Sequence, residues 1–398
     1  MRATRAITIV FALCLTATGI VHGQSFFECP SCTARLDVTL RKSTYEVGEP
    51  IVLQVRITNT GRVPLPVPVS SDVTGRHDGY RFTVADRSGR AVGDPFAGGI
   101  AGLNAIVAPR TVEPGAMSTR ELVLNYFMAP LEPGQYVLRS VWELTWKSQI
   151  RDEATPTSFE IVPTSPEQRT RRLMQLTSAL ARGDDPRRVA PLLGFTGDPN
   201  ARDPLIDLLY SHDDGVCVAA ADALSLLDAG HVMRGLLDAI KTRGPRERVM
   251  DMVMGSTIVD RVQVIELLSP WIRSSDQDAR AAALRGVGFF NEPPRPELFS
   301  SLAAMLKDAV PAVRHQAAVA VGVYADANAL EALRPAVRDS DRDVREQATI
   351  AVGWVADARP VGDSIRSRAI ELLQEIARTS GPESQQAIYW LSKVGASK

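Results

Sequence analysis

The chain has 398 residues, of which 45% are apolar and 23% are charged, and its formal net charge is −1. This length allows two or three domains with packed cores, and the composition excludes a globally disordered or fibrous protein. Without a strong basic field, we expect no nucleic-acid partner.

The first 23 residues have the pattern of a secretory signal peptide. Arg2 and Arg5 precede an apolar run from about Ile7 to Leu15, and small residues follow it. The run is short for a membrane span. The pattern predicts cleavage after Gly23, with an uncleaved anchor as the alternative. We therefore expect an exported protein, periplasmic or secreted, with no membrane span in the mature chain.

Cys29 and Cys32 form a Cys-Pro-Ser-Cys motif soon after the signal sequence. This motif occurs in thioredoxin-like redox pairs, in halves of zinc sites and in small disulfide loops. Here a strand is predicted to follow the motif, and no second Cys or His pair supplies further zinc ligands. In an oxidising compartment we favour a Cys29–Cys32 disulfide, which leaves Cys217 as a free thiol.

Residues 34–163 have the pattern of an all-β domain. Segments such as 50–61 and 135–147 alternate apolar and polar side chains, which is typical of half-buried strands. Several such strands with no helical period predict an antiparallel β-sandwich. The stretches YEVGEPIVLQVRITNTG and PGQYVL resemble the immunoglobulin-like domains of bacterial exported proteins. The Cys…Trp…Cys arrangement of antibody domains is absent.

A linker at 164–169 separates this domain from an all-α domain at 170–398. Pro163 and Pro166 are predicted to end the last strand and to open a helix, with Ser165 as its cap. Beyond the linker, the apolar residues recur with a helical period.

The helical part repeats itself at intervals of 31 to 34 residues. The pattern begins at Val344-Arg345 and continues with Ala348, Ala351 and Gly353. Going back along the chain, the same anchor positions are occupied by Val313-Arg314, Ala279-Arg280, Glu247-Arg248 and Val216-Cys217. Second helices such as 298–308 and 329–339 lie between them. The unit is a helical hairpin, and its repetition predicts an α-α solenoid.

A residue that can cap a turn or a helix lies five positions before each anchor. These residues are Asp339, Asp308, Ser274, Thr242 and Ser211. Each has a side chain that is able to accept hydrogen bonds from free backbone amides. We therefore expect each of them to bind free backbone amides at a turn or at a helix start.

The pattern Asp…Val-Arg…Ala…Ala-x-Gly resembles HEAT repeats, in particular the short bacterial kind that also occurs in phycobilisome lyases. The resemblance covers about 170–395. It implies that one arginine per repeat pairs with acidic groups of adjacent turns, namely Arg248, Arg280, Arg314 and Arg345, and that this ladder is interrupted at Cys217. Small residues on the first helices let the next helix approach closely, among them Gly288, Gly322 and Gly353.

The chain shows no motif for catalysis, for a cofactor or for a metal. The histidines of the mature chain lack metal-ligand spacing. The His-Asp-Asp sequence at 212–214 starts a repeat helix, where aspartate is an ordinary cap. There is no Gly-x-Ser-x-Gly motif, and Cys217 is predicted to lie on a helix that faces the core. We therefore predict no cofactor and no metal, and favour a non-catalytic protein.

A protein-binding scaffold is the function that this organisation predicts. A HEAT-like solenoid exposes an extended concave surface, lined by its second helices, that suits protein or peptide segments. Candidate contacts are the cations on or ending second helices, namely Arg234, Lys241, Arg273, Lys307, Arg334 and Arg338. Their mild basic excess predicts a partner of acidic or mixed charge. The alternative is an envelope enzyme or enzyme subunit with an active site between the two domains.

Overall fold

The computed structural model describes residues 31–70, 78–94, 107–129, 131–144, 150–291, 294–358 and 362–396. Two compact units are present, Met1–Pro163 and Thr164–Lys398. The predicted signal peptide, 1–23, lies outside the described residues. Within the described ranges, none of the helices combines the length and the hydrophobicity that a bilayer span requires.

The first unit is built from strands. They are β1 (Ala34–Leu40), β2 (Thr44–Glu46), β3 (Val52–Asn59), β4 (Leu65–Ser70), β5 (Tyr80–Asp86), β6 (Val107–Val112), β7 (Met117–Val123), β8 (Gly134–Leu144), β9 (Ile150–Glu153) and β10 (Thr157–Val162). One sheet has the order β1-β3-β7, a second has the order β2-β10-β8-β5 with β9 also paired to β8, and β4 pairs with β6. All pairings are antiparallel except that of β2 with β10. The predicted all-β first domain is confirmed.

Alternating burial on β3 and β8 matches the alternation in the sequence. Leu53, Val55 and Ile57 of β3 are buried. Trp142 of β8 is fully buried, and its indole Nε1 donates a hydrogen bond to the Asp78 carbonyl oxygen at 3.0 Å. A buried indole N–H needs such an acceptor, so this contact fixes the turn before β5 against β8.

Cys32 lies directly before β1, where it is buried and disulfide-bonded. Its predicted partner, Cys29, lies outside the described residues. The Cys29–Cys32 disulfide therefore stays a prediction.

The second unit is all-α. Its helices are α1 (Pro166–Ala181), α2 (Pro186–Phe195), α3 (Arg202–Leu208), α4 (Asp214–Leu224), α5 (Ala229–Arg243), α6 (Glu247–Met254), α7 (Arg261–Leu268), α8 (Gln277–Phe290), α9 (Pro296–Ala304), α10 (Pro311–Gly322), α11 (Ala327–Ala336), α12 (Arg342–Asp357), α13 (Asp363–Ala377) and α14 (Glu383–Lys393). Short 3-10 helices at Ser269–Arg273 and Met305–Lys307 extend α7 and α9. One hydrophobic cluster runs from α1 to α14. The unit is a HEAT-like solenoid.

Helix α1 begins at Pro166, directly after the predicted cap Ser165. Ser165 and Gln168 form a capping box: Gln168 N donates to Ser165 Oγ at 3.2 Å, and Ser165 N donates to Gln168 Oε1 at 2.9 Å. Pro166 occupies the first turn, where its missing N–H is not needed. The predicted cap is confirmed. Residues 166–169, which the sequence assigned to the linker, form the first turn of α1.

The first helices of the repeats are those that carry the anchors, and they alternate with the second helices. Anchors occur near the starts of α4, α6, α8, α10 and α12, and the second helices are α5, α7, α9, α11 and α13. The predicted repeat register is thus confirmed over five hairpins. It also continues one repeat further back than the sequence indicated, since Gly194 on α2 lies 31 residues before Ser225.

Small residues at this register position allow close approach between neighbouring first helices. A Cβ atom on Gly194 would lie 2.7 Å from the Ala223 carbonyl oxygen. A Cβ atom on Gly322 would lie 2.7 Å from Ala351 Cβ, and one on Gly288 would lie 3.1 Å from Ala320 Cα. A larger side chain at these positions would push two helices apart.

Four of the five predicted caps accept backbone amides, and the fifth prediction is wrong. Thr242 donates its hydroxyl to the Asp238 carbonyl oxygen at 2.9 Å, because α5 extends to Arg243 and places Thr242 inside its last turn. The other four each accept a hydrogen bond from the N–H two residues later: Asp339, Asp308, Ser274 and Ser211.

Candidate interaction surface

A ladder of arginine and aspartate side chains joins consecutive repeats. Arg280 of α8 donates from Nε and Nη2 to both carboxylate oxygens of Asp308 in the next repeat, each at 3.0 Å. Its Nη1 donates to the Ser274 carbonyl oxygen at 2.9 Å, six residues back. One guanidinium thus fixes the turn before its own helix and the turn before the next first helix. Such a bidentate pair is geometrically specific.

The next repeat makes the same contacts. Arg314 donates to both carboxylate oxygens of Asp339, at 2.8 and 2.7 Å, and to the Asp308 carbonyl oxygen at 2.9 Å. The Arg314 hydrogen bond holds the pKa of Asp339 below its usual range. Asp308 is shared, since its carboxylate binds one arginine and its carbonyl oxygen binds the following one. The ladder is therefore continuous across α8, α10 and α12.

The two end members of the ladder have different partners: Arg345 pairs forward with a glutamate, and Arg248 pairs backward. Arg345 of α12 donates to the Asp339 carbonyl oxygen at 2.9 Å, and its Nε lies 3.4 Å from Oε2 of the buried Glu383. Arg248 of α6 instead binds backward, donating from Nη2 to Asp214 Oδ1 at 2.9 Å. Asp308 and Asp339 lie five residues before the anchors of their repeats. In the repeat that follows Arg248, this position is occupied by Ser274. Arg248 therefore has no forward carboxylate at that position.

Cys217 occupies the arginine position of the repeat before Arg248. Its Sγ lies 3.3 Å from the Ser211 carbonyl oxygen, again six residues back. The thiol thus donates to the carbonyl that an arginine would bind, but it cannot reach a carboxylate. Burial raises the pKa of the Cys217 thiol, which keeps it protonated and disfavours a nucleophilic role.

The six candidate contacts are distributed over consecutive second helices. Arg234 and Lys241 lie on α5, Arg273 and Lys307 end the 3-10 helices after α7 and α9, and Arg334 lies on α11. Arg338 lies beyond α11, whose C-cap is Val337. Arg334 and Arg338 therefore do not lie on the same helix.

These six cations differ in their ion pairing. Arg334 Nε lies 3.8 Å from Glu331 Oε2, and Arg338 Nη2 lies 3.2 Å from Glu375 Oε2. Arg273 donates to the Ser301 hydroxyl at 3.2 Å. Within the described ranges no acidic partner is found for the remaining three, Arg234, Lys241 and Lys307. These three are exposed.

Asp222 on α4 is a titratable group that sequence reasoning missed. Burial raises its pKa to about 7, although the Arg248 charge opposes the shift. Arg248 itself is bound to Asp214 and Asp251. An aspartate on a first helix looks like any surface charge in the sequence, so no sequence signal distinguishes it.

The His-Asp-Asp sequence and a cavity in the first unit are two other places with polar side chains. At the His-Asp-Asp sequence, Asp213 accepts the Val216 amide at 3.2 Å, which confirms that it is a cap. In the first unit, a cavity of about 350 Å³ is lined by Asp86, Arg90, Tyr136 and neighbouring residues. Arg90 pairs with Asp86 at 3.3 Å. The described walls of this cavity hold no nucleophile next to a base.

A protein-family model described as HEAT repeats matches the chain over two overlapping ranges, 264–353 and 299–392. These ranges run from α7 to α14. The C-terminal part of the solenoid therefore has the sequence pattern of HEAT repeats as well as their helical hairpins.

Several solved structures are similar to part of this chain. An archaeal HEAT-like repeats protein from Thermococcus onnurineus NA1 is 10% identical, with 56% of this chain and 97% of that chain covered and a TM-score of 0.38. YibA from Escherichia coli is 15% identical, with 58% and 82% covered and a TM-score of 0.37. An engineered protein is 16% identical, with 57% and 69% covered and a TM-score of 0.33. No curated protein matches the chain. These similarities are too distant to transfer a function.

Proposed function

We propose that the protein is an exported, non-catalytic scaffold that binds a protein or peptide segment of acidic or mixed charge. In this proposal, the partner lies on the concave face of the solenoid, against the second helices. The first unit accompanies it as an immunoglobulin-like domain, and the repeats are of the short bacterial kind.

The main support for this proposal is a set of exposed cations on the second helices that have no acidic partner in the described part of the chain. Arg234 and Lys241 are exposed on α5, and Lys307 is exposed at the end of the 3-10 helix that follows α9. Cations that are not neutralised within their own protein produce a positive potential, which steers an acidic partner and accelerates its association. The second helices therefore offer a distributed attractive surface rather than one pocket.

The ladder supports the same function by making this surface rigid. Bidentate pairs such as Arg280–Asp308 and Arg314–Asp339 link consecutive hairpins, and their side chains are at most 15% exposed. A surface whose spacing is fixed before binding loses less conformational entropy when the partner arrives. A rigid solenoid can therefore recognise an extended segment through many weak contacts.

A capture experiment with the full chain tests the proposal. The immobilised protein is exposed to envelope extract beside a variant with Arg234→Glu, Lys241→Glu and Lys307→Glu. A second variant, with Arg171→Glu and Arg188→Glu on α1 and α2, reverses exposed cations away from the second helices. We expect acidic proteins to be captured by the wild type and by this control, but lost from the first variant. Capture that is equal in all three contradicts the proposal.

Export rests on the sequence pattern of residues 1–23, with its two arginines and its apolar run. N-terminal sequencing of the protein from its native host tests it. We expect a mature chain that begins directly after Gly23 in the periplasmic or secreted fraction. An intact N-terminus in the cytoplasmic fraction contradicts export.

A further inference from the structure

Four exposed cations occupy one register position in four consecutive repeats. Lys241, Arg273, Lys307 and Arg338 are each exposed, and each lies at or just after the end of a second helix. They follow one another at intervals of 32, 34 and 31 residues. Each lies seven residues before the ladder position on the next first helix, namely Arg248, Arg280, Arg314 and Arg345. We call these four side chains the cation row.

The stacking of the hairpins gives the cation row a regular spacing. Neighbouring second helices contact one another, since α5 contacts α7 and the 3-10 helix Met305–Lys307 contacts α11. Packed helices lie about 8–10 Å apart. The ladder holds the same register across α8, α10 and α12, and the contact of α5 with α7 continues the stack to Lys241. Consecutive members of the row are therefore separated by about one such interval.

Two acidic residues that directly follow members of the row are already neutralised. Asp308 and Asp339 directly follow Lys307 and Arg338 in the sequence. Their carboxylates are bound by the ladder arginines Arg280 and Arg314. They therefore do not compensate the exposed cations beside them.

Only the last member of the row has a carboxylate partner in the described part of the chain. The pair of Arg338 with Glu375 is exposed, with side chains 65% and 53% accessible. Exposed pairs of this kind contribute at most about 1 kcal/mol. Such a pair exchanges easily for the carboxylate of an incoming partner, so Arg338 also remains available.

Among regular backbones, the polyproline II helix matches this spacing at every turn. It has three residues per turn and rises about 3.1 Å per residue, so every third side chain lies on one face at intervals of about 9 Å. A β-strand presents same-face side chains at intervals of about 6.6 Å, which does not match. An α-helix reaches about 10 Å only at every seventh residue.

We propose that the cation row binds an extended peptide segment in the polyproline II conformation that carries an acidic side chain at every third residue. This inference rests on the proposed function and specifies its partner. The segment lies along the stack, and its carboxylates bind Lys241, Arg273, Lys307 and Arg338 in turn. The four pairs are individually weak and act together because the solenoid fixes their spacing.

The test titrates the full chain with fluorescent 12-residue peptides. The first peptide repeats Glu-Pro-Ala, which places an acid at every third residue of a polyproline II helix. The second has the same composition with its four Glu residues contiguous. The third replaces each Pro of the first with Gly, which keeps the spacing but makes the backbone flexible. Cations near a helix C-terminus also stabilise their own helix through its dipole. A change in stability would therefore not report on the peptide, and the experiment measures binding instead.

We expect the first peptide to bind about tenfold more tightly than the second, since four weak pairs act together. We expect the third to bind several-fold more weakly than the first because it must be ordered on binding. Reversing Lys241 and Lys307 together to Glu should abolish the preference for the first peptide, whereas Arg171→Glu with Arg188→Glu should preserve it.

Different binding results would overturn the cation row and the acidic-partner scaffold. If the first and second peptides bind equally, and both lose affinity on reversal of Lys241 and Lys307, the cation row as a spaced receptor is overturned and the acidic-partner scaffold stands. Equal affinity of the first and third peptides overturns the polyproline II conformation. If none of the peptides binds, both the cation row and the preference for an acidic partner are overturned.

Discussion

Arg314 donates two hydrogen bonds to the carboxylate of Asp339, which lies 25 residues further along the chain and in the next repeat. Both side chains are only 12% exposed. A mostly buried arginine cannot lose its partner without leaving a charge that water does not reach well. The stability of the solenoid therefore depends on this pair more than on its surface pairs.

Replacing Asp339 with Ala should destabilise the protein by on the order of 3 kcal/mol, because it leaves the Arg314 charge buried without its partner. The matched control is Glu346→Ala, which removes the i,i+4 pair with the exposed Arg342 on α12. That change should cost less than about 1 kcal/mol. Urea unfolding of both variants measures the difference, and equal losses would show that the ladder is not a stabilising element.

Gly353 should not tolerate a large side chain. The Trp390 ring of α14 packs directly over it and occupies the space of a Cβ atom. Gly353→Leu should therefore destabilise the protein by roughly 1–3 kcal/mol through overpacking. The control is Gly362→Leu, because no described atom lies within 4 Å of a Cβ built on Gly362. Thermal melts that do not distinguish the two variants would contradict the repeat register.

Asp222 should make the solenoid less stable as pH rises. Burial raises its pKa from 3.8 to about 7, so the folded state holds this proton more tightly than the unfolded state. Stability is therefore lost progressively as pH rises from about 4 to about 7, and the loss is complete above that range.

Asp222→Asn removes this loss. The variant should gain stability relative to the wild type between pH 5 and pH 8, on the order of 2 kcal/mol, since each pKa unit corresponds to about 1.4 kcal/mol. Asp238→Asn, at an exposed carboxylate on α5, is the control. Melts at both pH values measure the gain, and parallel pH profiles of the wild type and Asp222→Asn would refute it.

Reversing Arg334 and Arg338 together to Glu should weaken capture of an acidic partner, and capture by the wild type should itself weaken as salt rises. The double change also breaks the pairs of these residues with Glu331 and Glu375. Both pairs are exposed, so the melting temperature should change little. Capture that survives high salt and this double reversal would place the binding site elsewhere.

The repeat architecture could be predicted from the sequence because every hairpin packs against its neighbours in the same way and so needs the same residue types at the same positions. A small residue such as Gly322 is needed wherever two first helices approach closely, and an acceptor such as Asp339 is needed in the turn before a first helix. These requirements return at the repeat interval and so become visible as a pattern. Alternating burial on β3 and β8 was visible for a similar reason.

Pairings that depend on the neighbouring hairpin could not be predicted. Arg248 binds backward to Asp214 because its forward position holds Ser274. Glu331 is shared by Arg334 of its own helix and Arg368, which lies 37 residues away. The ion pairs that neutralise second-helix cations thus form only in the folded stack. These pairs determine which cations remain available to a partner.

The most direct test of the scaffold is a cross-linking measurement in the native host. A photo-cross-linking amino acid replaces Lys307 in one strain and Arg171, away from the second helices, in another. We expect a discrete cross-linked species of higher mass from the Lys307 position, and this species should contain an acidic or mixed-charge protein. We expect no such species from the Arg171 position. The same species from both positions, or one from Arg171 alone, would contradict recognition by the second helices.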